Sequence, residues 1–479
     1  MFWELSGAQS DDFVVFDDTS GTSVSYRKLK EDISDCKKQL LAERKKLAFI
    51  FTNNSYSSIL SYLSVLNSGH ALCLLDDKME LALYEKLIKR YTPEIIWKSN
   101  SDNLKFEDYC FKNISNNLGY YFRNKGISKH KIHEDTAVLL STSGTTGSPK
   151  FVRLSYNNIQ SNAQSISMYL QLSSKEKAIT TLPMHYSYGL SVINSHLNSC
   201  GSLVFTEKTI IERAFWDLFN LQKCTSFAGV PYTFEMLKRI KFENMQLPSL
   251  SSITQAGGSL DQKLTQYFYK ISQKKNFSFH VMYGQTEASP RISHVPYSML
   301  SKKMGSIGIP VPGGKLRITK DGKPENEAGK QGEIVYEGPN VMLGYGEKRI
   351  DLNNGDNLNG VLYTGDTGYF DEDGYFFLVG RLKRMIKIFG QRVNLDEIEN
   401  MLEIYSGKDV ACFGEEDKLY VILESDDESD NLNIINKLTS LYHIHHSAIK
   451  SFCVDSLVYK SSGKKDYQAL KMKINNETN

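Results

Sequence analysis

Ser141 to Lys150 reads STSGTTGSPK, and the stretch that decides the fold is this loop with its two flanks. The apolar run Ala137-Val138-Leu139-Leu140 leads in, and Phe151-Val152-Arg153-Leu154 leads out. Two short apolar runs around a Gly/Ser/Thr-rich turn predict a hairpin whose tip presents backbone N–H groups, hydroxyls and the Lys150 ammonium. Small residues let a backbone approach a ligand closely, and such donors match phosphate oxygens. A Walker loop is excluded: the glycine-to-lysine spacing differs, no Ser or Thr follows Lys150, and a strand follows rather than a helix. An ordinary polar hairpin shares this composition, so the loop alone leaves both readings open.

Outward from the loop, helix and strand patterns alternate. Tyr26, Leu29, Ile33, Cys36 and Leu40 recur at helical spacing before the apolar run Leu47 to Phe51. Ile59, Leu60, Leu63 and Leu66 mark a second helix before Ala71 to Leu75, and Leu83, Leu87 and Ile88 precede Glu94 to Trp97. After the loop, Ser155 is placed to cap a helix carrying Ile159, Ala163, Ile166 and Leu170. Strands are expected at 178–182, 203–205 and 227–230. This alternation predicts parallel sheet layered with helices, whose ligands collect at loops beyond the strand ends. Between about Met304 and Gly380 glycines become dense and short β segments predict an antiparallel subdomain. Beyond Arg381 a small α+β unit is expected, and the Asp/Ser-rich run 425–431 reads as a solvated loop.

The 479 residues suffice for two or more domains and a large core. Lysines and arginines number 57 against 55 aspartates and glutamates, a balance without the basic footprint of nucleic-acid binding. No apolar run approaches a membrane span, and MFWELSGAQSDD lacks the basic-then-apolar layout of a signal peptide. Seven dispersed cysteines without a CxxC pair predict reduced thiols and a cytoplasmic protein. His443, His445 and His446 lack neighbouring cysteines or an acidic cluster, so they read as solvated helix-end histidines rather than a metal site.

Further motifs follow the loop in fixed order: YGQTEA at 283–288, YTGD at 363–366, GRLKRMIK at 380–387, and SSGK at 461–464 followed by Asp466, Ala469 and Leu470. Together they resemble the signatures of the adenylate-forming (AMP-binding) superfamily, which includes acyl-CoA synthetases, peptide-synthetase adenylation domains and luciferases. The resemblance spans nearly the whole chain. It implies a large N-terminal adenylation domain of layered α/β subdomains with a small β-rich subdomain, residues 1–382. A small mobile α+β domain, 383–479, would follow a hinge at Lys383.

The same resemblance implies ATP-dependent activation of a carboxylic acid as an acyl-adenylate, then transfer to a thiol, either coenzyme A or a carrier-protein phosphopantetheine. The carrier would be a separate acyl carrier protein. Thr142, Ser143, Gly144, Thr145, Thr146, Gly147 and Lys150 would hold the β- and γ-phosphates. Thr286 would bond the α-phosphate within the Tyr283-Gly284-Gln285 loop, and Glu287 would hold Mg²⁺. Asp366 would take the ribose, Arg381 would reach the same sugar or a phosphate, and Gly257, Gly258 and Ser259 would lie beside adenine and the acyl pocket. His185, Tyr186 and Gly189 would shape the acid pocket, and Lys464 would be the mobile catalytic cation. Gly390 occupies the position that lines the pantetheine channel.

Two departures from the family pattern bear on chemistry. Lys465 stands where isoleucine is usual, and Gly463 fixes the register on Lys464 rather than its neighbour. Gly189 stands where amino-acid-activating relatives carry an aspartate for the substrate ammonium, which disfavours common α-amino acids. Transfer to an amine or hydroxyl, or a regulator that binds nucleotide without turnover, are the alternatives within this fold.

Overall fold

The computed structural model describes residues 1–9, 11–98, 108–115, 118–126, 128–141, 150–388, 391–415, 417–442, 444–460 and 464–477. The expected phosphate loop from Thr142 to Gly147, together with Gly390, His443 and Ser461 to Gly463, lies outside them. The chain forms two compact units, one of residues 1–315 and 336–362, the other of 316–335 and 363–479. The second unit therefore gathers β-rich chain from before residue 383 together with the C-terminal segment, a division drawn elsewhere than at Lys383.

In the first unit the predicted hairpin forms. Thr136–Ser141 pairs antiparallel with Phe151–Ser155, with Leu140 opposite Val152. They join an eight-stranded sheet in which Ala71–Asp76, Leu47–Thr52 and Ile95–Lys98 run parallel. These strands are apolar throughout and buried on both faces, as parallel strands covered by helices should be. Ser155 caps helix Tyr156–Tyr169, its hydroxyl accepting from the Asn158 N–H at 3.0 Å.

A second sheet of this unit aligns Phe13–Asp17, Ser202–Phe205, Lys177–Ile179, Ser226–Gly229, Ser252–Gln255 and Ser278–Gly284 in parallel. The strand expected at 178–182 stops at Ile179, because Pro183 and the segment after it turn into helix Ser187–Asn198. Beyond Ser278–Gly284 the sheet becomes antiparallel, with Gly284 opposite Arg291. That reversal forces a tight connection, and the YGQTEA motif occupies it.

An edge strand of the first sheet, Gly344–Gly346, is held by Arg153, which is fully buried. Its guanidinium donates to the carbonyls of Tyr345 at 3.1 Å, Leu343 at 3.2 Å, Gly355 at 3.2 Å and also Asn354. Four carbonyls are its hydrogen-bond partners, and the charges of Asp351 and Asp356 favour the cation without bonding it. Burial draws this guanidinium below its ordinary value.

In the second unit Val361–Phe370 pairs antiparallel with Phe376–Arg381. The C-terminal portion is an antiparallel pair, Val410–Glu415 and Lys418–Glu424, extended in parallel by Ile449–Val454 and packed by helix Leu395–Ser406. The run 425–431 differs from its expectation. Helix Ser429–Tyr442 starts within it, the Ser429 N–H bonding Asp427 Oδ1 at 2.9 Å, and Asp430 pairs with Lys408 at 2.6 Å. Acidic residues at a helix start complement its positive end, so the composition of a loop also served a helix N-terminus.

Candidate active site

The motif at 283–288 ends strand Ser278–Gly284 and enters a 3₁₀ turn, Thr286–Ala288, closed by Ser289 in the left-handed region at φ 67°. Thr286 Oγ1 lies 3.0 Å from Ser187 Oγ at the start of helix Ser187–Asn198. Glu287 Oε1 accepts from the Tyr345 hydroxyl at 2.9 Å, and its carbonyl accepts from the Met342 N–H at 2.9 Å. The Lys150 ammonium stands 3.7 Å from the centroid of the Tyr345 ring. Thus Lys150, Tyr345 and the adjacent pair Thr286 and Glu287, from three separated stretches of chain, are brought together in the first unit.

Tyr345 and Ser187 were missed by sequence reasoning. Ser187 lies within the acid-pocket segment without a role assigned to it, whereas Tyr345 stands in no motif, and only its register opposite Val152 carries it to the loop end. Burial, with the Glu287 carboxylate beside it, raises the Tyr345 phenol far above its ordinary value, so it remains a donor. Glu287 keeps a second carboxylate oxygen beyond this bond. Among the described residues no group of three or more His, Cys, Asp or Glu side chains could hold a metal. One hard oxygen donor beside a phosphate-ready cation fits a magnesium ion that takes most of its ligands from substrate phosphates and water.

Gly257 has φ +87°, and a Cβ there would lie 2.6 Å from the Tyr186 hydroxyl. The Tyr186 hydroxyl therefore packs directly against Gly257. Gln255 Nε2 donates to the Gly258 carbonyl at 2.8 Å and orders the turn, with Ser259 exposed beyond it. His185 takes another direction. Its Nε2 lies 3.9 Å from Asp76 Oδ2, and it lines a cavity of 260 Å³ with Asp76, Asp77 and Lys208. Burial lowers its imidazole below the ordinary value more than Asp76 raises it.

Gly189 is dictated by packing. A Cβ there would meet the Pro183 carbonyl oxygen at 2.3 Å and that of Leu182 at 3.0 Å. An aspartate at this position would require the helix to move off the preceding turn.

The strand that leads into the 286–288 turn also carries part of a buried polar layer. His280 and His294 sit on neighbouring strands, and Tyr169 stacks on His294 with centroids 4.2 Å apart. Burial pushes both imidazoles down to about 4, His294 adding to the effect on His280. A folded-state value below the unfolded 6.5 means that the unfolded chain binds protons first. Stability is full above about pH 6.5 and falls as pH drops toward 4, by roughly a few kcal/mol for the pair. Urea denaturation across that window should show the loss, and His294→Phe, which keeps the stack, should flatten it. An unchanged slope would refute the assignment.

In the second unit Asp366 is buried, and the Nε of Arg381 lies 2.9 Å from its Oδ1. The two expected ribose residues are thus adjacent, opposite each other across the 361–370 and 376–381 strands. Lys383 lies in the 3₁₀ turn Leu382–Arg384. Lys465 enters an internal charge cluster: its ammonium reaches Glu403 at 2.5 Å and Glu399 at 3.5 Å. Lys464 precedes it, its carbonyl accepting from the Lys460 N–H at 2.8 Å.

Residues 3–346 match the family model described as AMP-binding enzyme. The chain belongs to the AMP-binding enzyme family. It is 29% identical over 316 residues to a long-chain-fatty-acid–CoA ligase of Bacillus subtilis (strain 168), covering 64% of this chain and 56% of that protein. It is 33% identical over 297 residues to a probable 4-coumarate–CoA ligase 1 of Dictyostelium discoideum, covering 61% and 53%. The chain thus spans little more than half the length of these curated relatives. Among solved structures, an o-succinylbenzoate coenzyme A synthetase of Bacillus subtilis in complex with ATP and magnesium ion superposes with a TM-score of 0.76. That match has 21% identity and covers 96% of this chain and 97% of the other. ATP-bound MatB of Rhodopseudomonas palustris superposes with a TM-score of 0.78 at 20% identity, covering 100% and 99%. The α/β fold is that of these adenylate-forming enzymes. Among the described residues no helix is long and apolar enough to cross a membrane.

Proposed function

We infer that this AMP-binding family member activates a carboxylic acid with ATP and then forms a thioester. In the first step the substrate carboxylate attacks the α-phosphorus, an acyl-adenylate forms and pyrophosphate leaves. In the second a thiol attacks the acyl carbon and AMP leaves. The observation that carries this reading is the joined set Lys150, Tyr345, Glu287 and Thr286, a cation, a carboxylate and a hydroxyl fixed around one turn. Such groups neutralise charge on a triphosphate without reorganising.

Lys150 and the loop 142–147 would bind the outer phosphates, and Thr286 would donate to the α-phosphate. Glu287 would hold magnesium, which when bound supplies positive charge to the phosphate oxygens. Asp366 and Arg381 would hold the ribose, Gly257 to Ser259 and Tyr283 to Gln285 would line the base, and Lys464 would meet the reacting carboxylate. The CoA ligases among the relatives support coenzyme A as the acceptor. A phosphopantetheine on a separate carrier protein is the other thiol source, and a cytoplasmic setting suits seven free cysteines.

ATP–pyrophosphate exchange over a panel of acids tests this reading. Magnesium-dependent exchange with fatty, aryl or hydroxy acids, exceeding that with proteinogenic α-amino acids, is expected. ATP binding without exchange for any acid would instead identify a regulator.

Lys383 would be the hinge between the two half-reactions. A few dihedrals at one position can absorb a domain rotation, and proline removes that freedom. Lys383→Pro should slow thioester formation more than adenylation, with Lys383→Ala nearly silent. Equal losses in both steps from a folded proline variant would refute the hinge.

A further inference from the structure

Arg291 opens the antiparallel strand Arg291–His294 and is 3% exposed. Its guanidinium lies 4.2 Å from the centre of the Tyr188 ring. Tyr169 is its hydrogen-bond partner, and the Tyr169 hydroxyl donates in turn to Met282 Sδ at 2.9 Å. Arg291 Nε is buried without any partner, and no carboxylate pairs with this cation among the described residues. Arg153 shows how this fold satisfies a buried guanidinium when its role is structural, with carbonyls on every side. Arg291 has aromatic faces and a phenol instead.

A cavity of 20 Å³ adjoins it, lined also by Met282, Thr254, Ser191, Ala228 and His196. That is room for about one water or one small polar group. Its place in the fold ties it to the reaction. Arg291 is opposite Gly284 in register and four residues beyond Glu287. Tyr188 follows Ser187, whose hydroxyl meets Thr286. The cavity thus lies between helix Ser187–Asn198 and the strands Ser226–Gly229, Ser252–Gln255 and Ser278–Gly284, the last of which leads into the turn that would grip the α-phosphate.

We propose that Arg291 determines specificity by receiving a second anionic group, a carboxylate at the far end of the acid being activated, so that short dicarboxylic acids are the preferred substrates. The proposal rests on the reading of this chain as an acid-activating enzyme. A buried cation without a counter-charge disfavours an aliphatic chain end, which desolvates it further and offers nothing in return. A carboxylate restores the missing charge and gives Nε its acceptor, as a charge-assisted bond. A purely structural Arg291 would leave substrate preference unmoved when replaced.

The test compares acids matched in chain length: succinate against butyrate, and glutarate against valerate. In ATP–pyrophosphate exchange the dicarboxylates should exceed their partners roughly 10- to 100-fold in kcat/KM, the range for one hydrogen bond to a charged group. In a thermal shift assay without nucleotide, the dicarboxylates should raise the Tm of the wild type and leave that of Arg291→Met unchanged. Arg291→Met should also lose or reverse the exchange preference, and Arg291→Lys should keep part of it. Should Arg291→Met not fold, the wild-type comparison and Arg291→Lys still decide. Equal or better use of monocarboxylates by the wild type, or an intact dicarboxylate preference in folded Arg291→Met, overturns the proposal while leaving acid activation standing. Arg291-dependent stabilisation by dicarboxylates without exchange from any acid supports the site and overturns the activation reading.

Discussion

Glu287→Gln should lower adenylation by on the order of 10³-fold while leaving the fold intact. The scale is that of removing one preorganised electrostatic contact from a reacting centre. The position of Glu287 is over-determined: its carbonyl accepts from Met342, Oε1 accepts from Tyr345, and the 3₁₀ turn fixes its backbone. Glutamine keeps the shape and can still accept from Tyr345, so the change isolates the charge. The carboxylate is only half-buried, and loss of a partly exposed charge has a small effect on stability. The exchange rate should fall, and the magnesium concentration needed for half-maximal rate should rise. A variant within a few-fold of wild type at all magnesium concentrations would remove Glu287 from the metal role. Tyr345→Phe separates positioning from charge, because it frees the carboxylate without neutralising it, and a milder loss is expected.

Much of this site was legible because its local chemistry is written in contiguous residues. The hairpin at 136–155 follows from two apolar runs around a turn, and Ser155 from its place before a helical period. Asp366 and Arg381 belong to motifs fifteen residues apart, and antiparallel pairing makes them neighbours. What sequence could not give is the register of strands from distant stretches. Tyr345 reaches Glu287 because Gly344–Gly346 docks on Phe151–Ser155, and the dock is enforced by Arg153. Nothing near Tyr345 announces that pairing. Gly189 was legible as an absent aspartate, whereas its cause, a carbonyl 2.3 Å from any Cβ, belongs to the packed state. Arg291 left a signal that pattern reading passed over: a charge in the strand RISH directly after a nucleotide motif, with apolar Ile292 beside it. The histidine pair shows the same limit, since a lowered imidazole reflects burial rather than spacing.

Lys464→Ala and Lys465→Ala should fail in different ways, the first in catalysis and the second in stability. Lys465 is 18% exposed and lies among Glu403 at 2.5 Å, Glu399 at 3.5 Å and the Val410 carbonyl. Burial opposes its charge, yet the two glutamates outweigh it and hold its ammonium above the ordinary value. Glu399 is shared further, with Arg384, the Cys412 N–H at 2.6 Å and the Tyr467 hydroxyl at 3.0 Å. Removing one member of such a cluster leaves buried charge uncompensated, a loss of about 3 kcal/mol. Denaturant unfolding of Lys465→Ala should therefore show a clearly lowered midpoint, with the turnover of the remaining folded enzyme nearly normal. Lys465 bridges Tyr459 in extended backbone, where successive side chains point to opposite sides. The long stem of a lysine suits a group that must meet a substrate carboxylate and an α-phosphate oxygen, the role the C-terminal motif implies for Lys464. Lys464→Ala should lower adenylation 10²-fold or more at unchanged stability. The opposite pattern, with Lys465→Ala catalytically dead but stable and Lys464→Ala unstable but active, would shift the catalytic register by one residue.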